Sequence, residues 1–212
     1  MGEYDASARF VMEATVEPEH IARARAHALE LGASPVSAPI GAQIAVLAAA
    51  ANALNIVEIG TGAGVSGLWL LHGAPRAVLT TIDSEPEHLA AARQAFAQAR
   101  VPAARTRFIT GRAATVLPRM NEASYDVVLI DADPEGVIDY VEHGLRLVRP
   151  GGLVLVPRVT RGGAVADPVR RDAVTTAYRT LIHETQSSPA VIAAISTSGE
   201  GLLQLTTVAE PQ

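Results

Sequence analysis

The chain has no cysteine and no lysine: all 17 of its basic residues are arginine. The first absence removes disulfides, thiolate metal sites and a cysteine nucleophile. The second removes a Schiff base, a lysine general base and the lysine of a Walker phosphate loop. Aromatic residues make up only 4% of a chain that is 49% hydrophobic and rich in alanine. No apolar run approaches the length of about 18 residues that a spanning helix needs. The stretch 44–51 is too short and reads as a buried helix. The opening residues, Met1-Gly2-Glu3-Tyr4-Asp5, lack the basic and apolar regions of a secretion signal, so a cytoplasmic location is expected. A net charge of −5 argues against a large nucleic-acid footprint, because phosphate binding rests on arginine and lysine neutralisation. It leaves room for a local basic rim at Arg158, Arg161, Arg170 and Arg171. With 212 residues and no break in composition, a single domain over 1–212 is expected.

What is present centres on Val57-Glu58-Ile59-Gly60-Thr61-Gly62-Ala63-Gly64-Val65-Ser66-Gly67. An apolar strand ends, glycines follow at alternate positions, and an apolar helix begins. Such a turn lets a ligand approach the backbone and offers it the positive end of a helix dipole. Gly62 to Gly67 also fits the dinucleotide fingerprint, with Asp83 as the acidic partner about 20 residues on. Here, however, the strand runs into Gly60, and the E-x-G-x-G-x-G spacing is the S-adenosylmethionine form.

Around this loop the hydrophobic pattern alternates. Helical spacing covers residues 5–33 in two segments, the second opened by Pro18 and closed by Gly32. These N-terminal helices, within a region 1–53, are expected to cover the ligand or to pair two subunits, ahead of a core over 54–212. A helix from Pro39 through residue 51 follows the turn 33–39. Strands are expected at 55–59, 77–82, 106–109, 125–130 and 152–156, and helices at 65–74, 86–99, 113–120 and 136–148. Asp167-Pro168 reads as the cap of a further helix. Strands at 189–195 and 201–208 have no crossover helix between them and must pair antiparallel. The expected fold is therefore α/β: a seven-stranded, mostly parallel sheet with an antiparallel C-terminal hairpin. A dehydrogenase would need a further substrate domain, for which the chain has no room.

In such a sheet the ligand sits beyond the carboxyl ends of the strands. Asp83 is placed to accept both hydroxyls of a ribose, while Ser84 and Glu87 have the spacing of a capping box. Glu58, between apolar neighbours, needs a buried partner. Ser66 either caps its helix or binds a ligand carboxylate. Asp133-Pro134 fits an N-cap followed by proline. Asp131 has no such structural role and is a candidate for binding substrate, a metal or a neighbouring cation. The six histidines read as surface or packing residues, and Trp69 as core.

With these motifs, Gly111-Arg112-Ala113, Ile130-Asp131-Ala132-Asp133, Arg149-Pro150-Gly151-Gly152 and Gly199-Glu200-Gly201-Leu202, the chain resembles the class I O-methyltransferases of the catechol and caffeoyl-CoA type. Among these it looks most like actinobacterial members with an unusual strand-five motif. The resemblance covers about 36–208. It implies a Rossmann-like methyltransferase, usually a homodimer, that moves a methyl group from S-adenosylmethionine to a hydroxyl of a small molecule and releases S-adenosylhomocysteine. By position it assigns cofactor contacts to Val36, Glu58, Gly60, Thr61, Gly62, Ser66, Asp83, Ala113 and Asp133. Arg112, where the family often has an acidic residue near the adenine, either stacks on that ring or turns outward. The family's divalent cation is held by an aspartate after strand four and an Asp-Asn pair after strand five. Asp131 matches the first; Pro157-Arg158 replaces the second, and Pro134 stands where many members have lysine. No metal is therefore expected, and Asp131 with Arg158 is the expected catalytic pair. Two other readings stay open: a noncatalytic protein that binds S-adenosylmethionine or its product, and a methyltransferase of a hydroxylated tRNA base.

Overall fold

A computed structural model describes residues 3–197 and 199–208; of Glu3, Tyr4 and Asp5 it describes the backbone alone. Three helices come first: α1 (Glu3–Ala14), α2 (Glu19–Glu30) and α3 (Ala38–Ala50). The alternating core follows as β1 (Asn55–Ile59), α4 (Val65–Gly73), β2 (Val78–Asp83), α5 (Pro86–Gln98), β3 (Thr106–Thr110), α6 (Ala113–Val116), β4 (Tyr125–Ile130), α7 (Val137–Leu147) and β5 (Val148–Pro157). It closes with α8 (Ala173–Ser187), β6 (Val191–Ser196) and β7 (Leu202–Thr207). The strands form one seven-stranded sheet in the order β3-β2-β1-β4-β5-β7-β6, parallel except where β7 pairs with β5 and β6.

Residues alternate between the two faces of each strand, and each face has its own core. Ile56, Leu79, Val127, Leu129 and Leu155 pack with α2 to α5, around Ile21, Ile40, Ile44, Leu68 and Trp69. Val57, Ile59, Val128, Ile130, Val154 and Val156 pack on the other face with Leu117, Val141, Tyr178 and Leu181. The chain leaves β1 toward β2 on one side, and β4 lies on the other side. That reversal opens a crevice above the ends of β1 and β4, where doubly wound sheets bind ligands.

Three local expectations need correction. The helix at 113–120 breaks after Val116 into a 3₁₀ turn over Leu117–Arg119, because Pro118 has no N–H to continue the α-helical ladder. The last strand of the parallel set is longer than 152–156: it starts at Val148 and bulges at Arg149-Pro150-Gly151, where proline is tolerated. Asp167 does not cap α8. Asp172 does, accepting the Thr175 N–H at 2.9 Å and the Thr175 hydroxyl at 2.8 Å. Residues 164–170 are instead held from α8: Arg179 donates to the carbonyls of Ala164, Val165, Asp167 and Arg170.

At the far end of the sheet from the crevice, Asp126 ties three strands together. Its Oδ2 accepts the N–H groups of Leu54 and Asn55, each at 2.8 Å, and its Oδ1 accepts Arg149 Nε at 2.6 Å. Burial would raise its pKa, but these donors together hold it below the ordinary carboxylate value. Asp126→Ala is expected to cost about 2–4 kcal/mol in urea denaturation at pH 7, since the buried side chain that joins three strands is lost and two backbone N–H groups and Arg149 lose their acceptor. A depressed pKa gives stability that is present above the unfolded value and lost as pH falls through the folded one. The difference between the two proteins should therefore shrink in acid below about pH 4.

Candidate active site

A cavity of about 820 Å³ opens over the crevice. Its floor is Gly60, Thr61, Gly62 and Ala63 after β1, with Asp83 after β2. Gly111, Arg112 and Ala113 close one end, and Pro157, Arg158 and Arg161 the other. Asp131, Ala132, Asp133 and Pro134 stand between them, and Ala28, Ala33, Ser34 and Pro35 reach in from the N-terminal region. The volume lies in the upper part of the usual range for small-molecule sites, about 300–1,000 Å³.

The floor is shaped by one close approach and one carboxylate. Gly60 has φ +92°, and a Cβ there would lie 2.1 Å from the Asp131 carbonyl oxygen, so β1 and β4 can meet at the crevice only through a glycine. Asp83 Oδ2 accepts the N–H groups of Thr61 at 3.0 Å and Gly62 at 2.9 Å, and its Oδ1 accepts Glu85 N–H at 2.9 Å. A carboxylate has about four acceptor sites. Three are engaged by backbone, and His88 Nδ1 stands 3.4 Å from both oxygens.

Beneath the loop lies a buried polar network. Glu58 is fully buried; its Oε1 accepts Ser66 Oγ at 2.7 Å and its Oε2 accepts Thr81 Oγ1 at 2.6 Å. Thr81 spends its proton there, so Thr61 Oγ1, 2.6 Å away, donates to Thr81. Burial pushes the Glu58 carboxyl up to about 7, against the pull of those two hydroxyls. Glu58 does not line the cavity; it acts on the loop through Ser66 and Thr61, partners on other elements that a one-dimensional pattern does not pair. Ser66 lines the cavity but does not cap α4, whose N-cap is Gly64. Val36 is also buried beside the cavity, one residue beyond Pro35, and does not line it.

The other expected residues converge. Arg112, Ala113, Asp131, Asp133 and Arg158 all line the cavity. Asp133 is the N-cap of the 3₁₀ turn Pro134–Gly136, accepting Gly136 N–H at 3.3 Å, and it also accepts Tyr140 Oη at 2.7 Å. Burial, followed by that bond, pushes the Tyr140 hydroxyl up to about 12. Ser84 and Glu87 do not form a capping box: the N-cap of α5 is Glu85, one residue later than that pattern needs, and Ser84 Oγ donates to Glu85. His88 lines the cavity 3.4 Å from Asp83.

At the β5 end, Arg158 Nη2 donates to Asp131 Oδ2 at 3.1 Å and to the Ser34 carbonyl. The side chains of both Asp131 and Arg158 are largely buried. Burial pushes Asp131 up to about 6; Arg158 opposes that, and Glu200 adds to it. Glu200 sits at the tip between β6 and β7, where its carboxylate accepts Ser37 N–H and its carbonyl accepts Thr160 Oγ1. A Cβ on neighbouring Gly199, at φ +54°, would lie 2.4 Å from Ser37 Oγ, so the tip packs directly on the segment that enters the cavity. Sequence reasoning missed Glu200, Ser34, Tyr140, Tyr178 and Thr81 as parts of this site. Of these only Glu200 carried a signal, the Gly-Glu-Gly of its turn.

The sequence pattern of a family described as O-methyltransferase matches residues 13–206. The chain belongs to this O-methyltransferase family. A Mycobacterium tuberculosis protein named as a probable O-methyltransferase is 47% identical over 184 residues, covering 86% of this chain and 82% of that one. The crystal structure of a Corynebacterium glutamicum protein superposes with a TM-score of 0.90 at 28% identity, covering all of both chains. The O-methyltransferase TomG from Streptomyces achromogenes, solved in complex with S-adenosylmethionine, gives 0.83 at 30% identity, over 99% of this chain and 100% of that one.

The β5 end departs from the metal-ligand pattern that the resemblance implied. Magnesium takes several oxygen ligands in near-octahedral array. Here Asp131 faces a guanidinium, Pro157 has no side-chain oxygen, and among the described residues no group of three acids or histidines comes together. These residues do not fit the cation that the motif order implied.

The buried Glu58 gives a pH test of the loop. A raised pKa means that the folded chain keeps a proton which the unfolded chain releases, so stability is full below about 4.5 and falls as pH rises through about 7. Glu58→Gln keeps an acceptor for Ser66 and should be the more stable protein above pH 7, by on the order of 2 kcal/mol. Urea denaturation at pH 5 and pH 8 reads this as a shallower loss in the variant, with the remainder due to Asp131. Equal losses in the two proteins would show that Glu58 is already ionised in the fold.

Proposed function

We propose that this O-methyltransferase uses S-adenosylmethionine to methylate a hydroxyl of a small molecule, and that it does so without a divalent cation. What carries the metal-free part is the Arg158–Asp131 pair, at positions that the resemblance assigns to metal ligands in other members. The cofactor half rests on the glycine floor, on Asp83, and on TomG, which bound S-adenosylmethionine in its crystal.

In this reading Gly60, Thr61 and Gly62 cradle the amino-acid tail against the N-terminus of α4, with Ser66 facing it. Asp83 accepts one ribose hydroxyl, and Arg112 and Ala113 border the adenine. Asp133 remains a structural cap that also shapes the wall between the two halves. S-adenosylmethionine supplies an electrophilic methyl group, and its sulfur keeps the electron pair of the broken C–S bond. The acceptor oxygen bonds the methyl carbon in line, from about 3 Å. Arg158 stabilises the negative charge that grows on that oxygen, the part a metal plays elsewhere. Asp131 takes the hydroxyl proton on Oδ1, which no hydrogen bond occupies among the described residues, and later passes it to water. With its pKa near 6, Asp131 is a base at neutral pH, and kcat/KM should rise with pH through about 6.

The test is tritiated methyl transfer into a panel of hydroxylated compounds, with EDTA and with added magnesium. Equal rates in both are expected, and Arg158→Ala should lower kcat by about 100-fold. Activity lost in EDTA and restored by magnesium would contradict the metal-free reading and leave the cofactor half standing.

A further inference from the structure

Three arginines line the cavity, and among the described residues only Arg158 is paired with a carboxylate. Arg112 stands at the β3 end, beside Tyr140. Arg161 stands at the β5 end, half-buried, with its guanidinium carbon 5.3 Å from the centre of the Tyr178 ring. Among the acids that line the cavity, Asp131 is engaged by Arg158 and Asp133 by Gly136 N–H and the Tyr140 hydroxyl, and among the described residues no ion pair joins Arg161 to Glu85 or Glu135. Arg161 keeps partial exposure at the cavity wall, and a cation held there on an aromatic ring without a counter-charge is placed to receive an anion.

The backbone is bent to bring it there. Arg158 and Arg161 both take left-handed conformations, at φ +61° and +50°, which residues with a Cβ seldom adopt. Arg161 N–H donates to the Arg158 carbonyl at 3.0 Å, so one tight turn carries both guanidinium groups. The segment just beyond is fixed by Arg179 through the carbonyls of Ala164 and Val165. Strain kept at a cavity wall by surrounding contacts is the usual mark of a functional position. The buried Tyr178 ring adds a flat apolar surface beside the charge.

We propose that the methyl acceptor is a hydroxylated carboxylic acid whose carboxylate is bound by Arg161, braced on Tyr178, while its hydroxyl faces Arg158 and Asp131. The planar guanidinium fork matches a carboxylate in a way that a point charge does not. This specificity role rests on the methyl-transfer reading above, and its test separates the two. Hydroxybenzoates, hydroxyphenylacetates and short aliphatic hydroxy acids are assayed for methyl transfer, each against its own methyl ester. Each acid that is methylated should exceed its ester in kcat/KM by about tenfold or more. Arg161→Gln should abolish that ratio, chiefly by raising KM for the acid, while S-adenosylhomocysteine titrates both proteins alike. Ratios at or below one in the unaltered chain, or a ratio that survives Arg161→Gln, overturn the proposal. If no compound is methylated, the same pairs are titrated into the S-adenosylhomocysteine complex. Failure of every acid to bind there also overturns it, whereas failure of S-adenosylhomocysteine itself to bind refutes the methyl-transfer reading and this proposal with it.

Discussion

The Asp83 carboxylate, tied to the N–H groups of Thr61 and Gly62, is the contact on which the site depends. It joins the end of β2 to the loop after β1 and so fixes the floor of the cavity. From that floor the N-terminus of α4 points at whatever lies above, and Ser66 and Thr61 are positioned to engage Glu58 and Thr81 below. A carboxylate that accepts three backbone N–H groups is a rigid part of the fold.

The two ends of the cavity are built on different physics. At the β1–β2 end the polarity is mostly backbone and hydroxyl, suited to hold a tail and a sugar by geometry. At the β5 end it is charge: Asp131 against Arg158, Glu200 behind them, and Arg161 on Tyr178. Low dielectric strengthens each of these interactions and is also why Asp131 holds its proton more firmly than an exposed aspartate. Arg158 brings a covalently fixed cation to this end of the cavity. The fixed charge cannot be chelated away, and it donates hydrogen bonds in directions set by the Pro157-Arg158 turn.

Much of the fold was legible because it follows from periodicity. Alternating strands and helices, continuous apolar strands and two final strands with no helix between them predict a seven-stranded, mostly parallel sheet with an antiparallel last pair, and β1 and β4 in their bounds; the strand order itself was not legible. Gly60 was legible as a turn glycine, although the approach it permits in the structure is that of the Asp131 carbonyl, and Asp131, Asp133 and Arg158 were legible as residues at strand ends. What sequence did not reveal depends on distant partners. Thr81 meets Glu58 across two strands, the Ser34 carbonyl meets Arg158 across 124 positions, and Ser37 meets Glu200 across 163. The misread caps fail for a related reason: Asp167 has the residue type of a cap, but its segment is held by Arg179, and the cap of the helix lies five residues later at Asp172.

The central claim is that the glycine floor and the Asp83 carboxylate form a preassembled cofactor seat. A crystal structure of the S-adenosylhomocysteine complex tests it most directly. The account predicts the amino-acid tail over Gly60 to Gly62, and one ribose hydroxyl on Asp83 Oδ1 while Oδ2 keeps Thr61 and Gly62. A complex with the sugar turned away from Asp83, or with the loop empty and the ligand elsewhere, would contradict it.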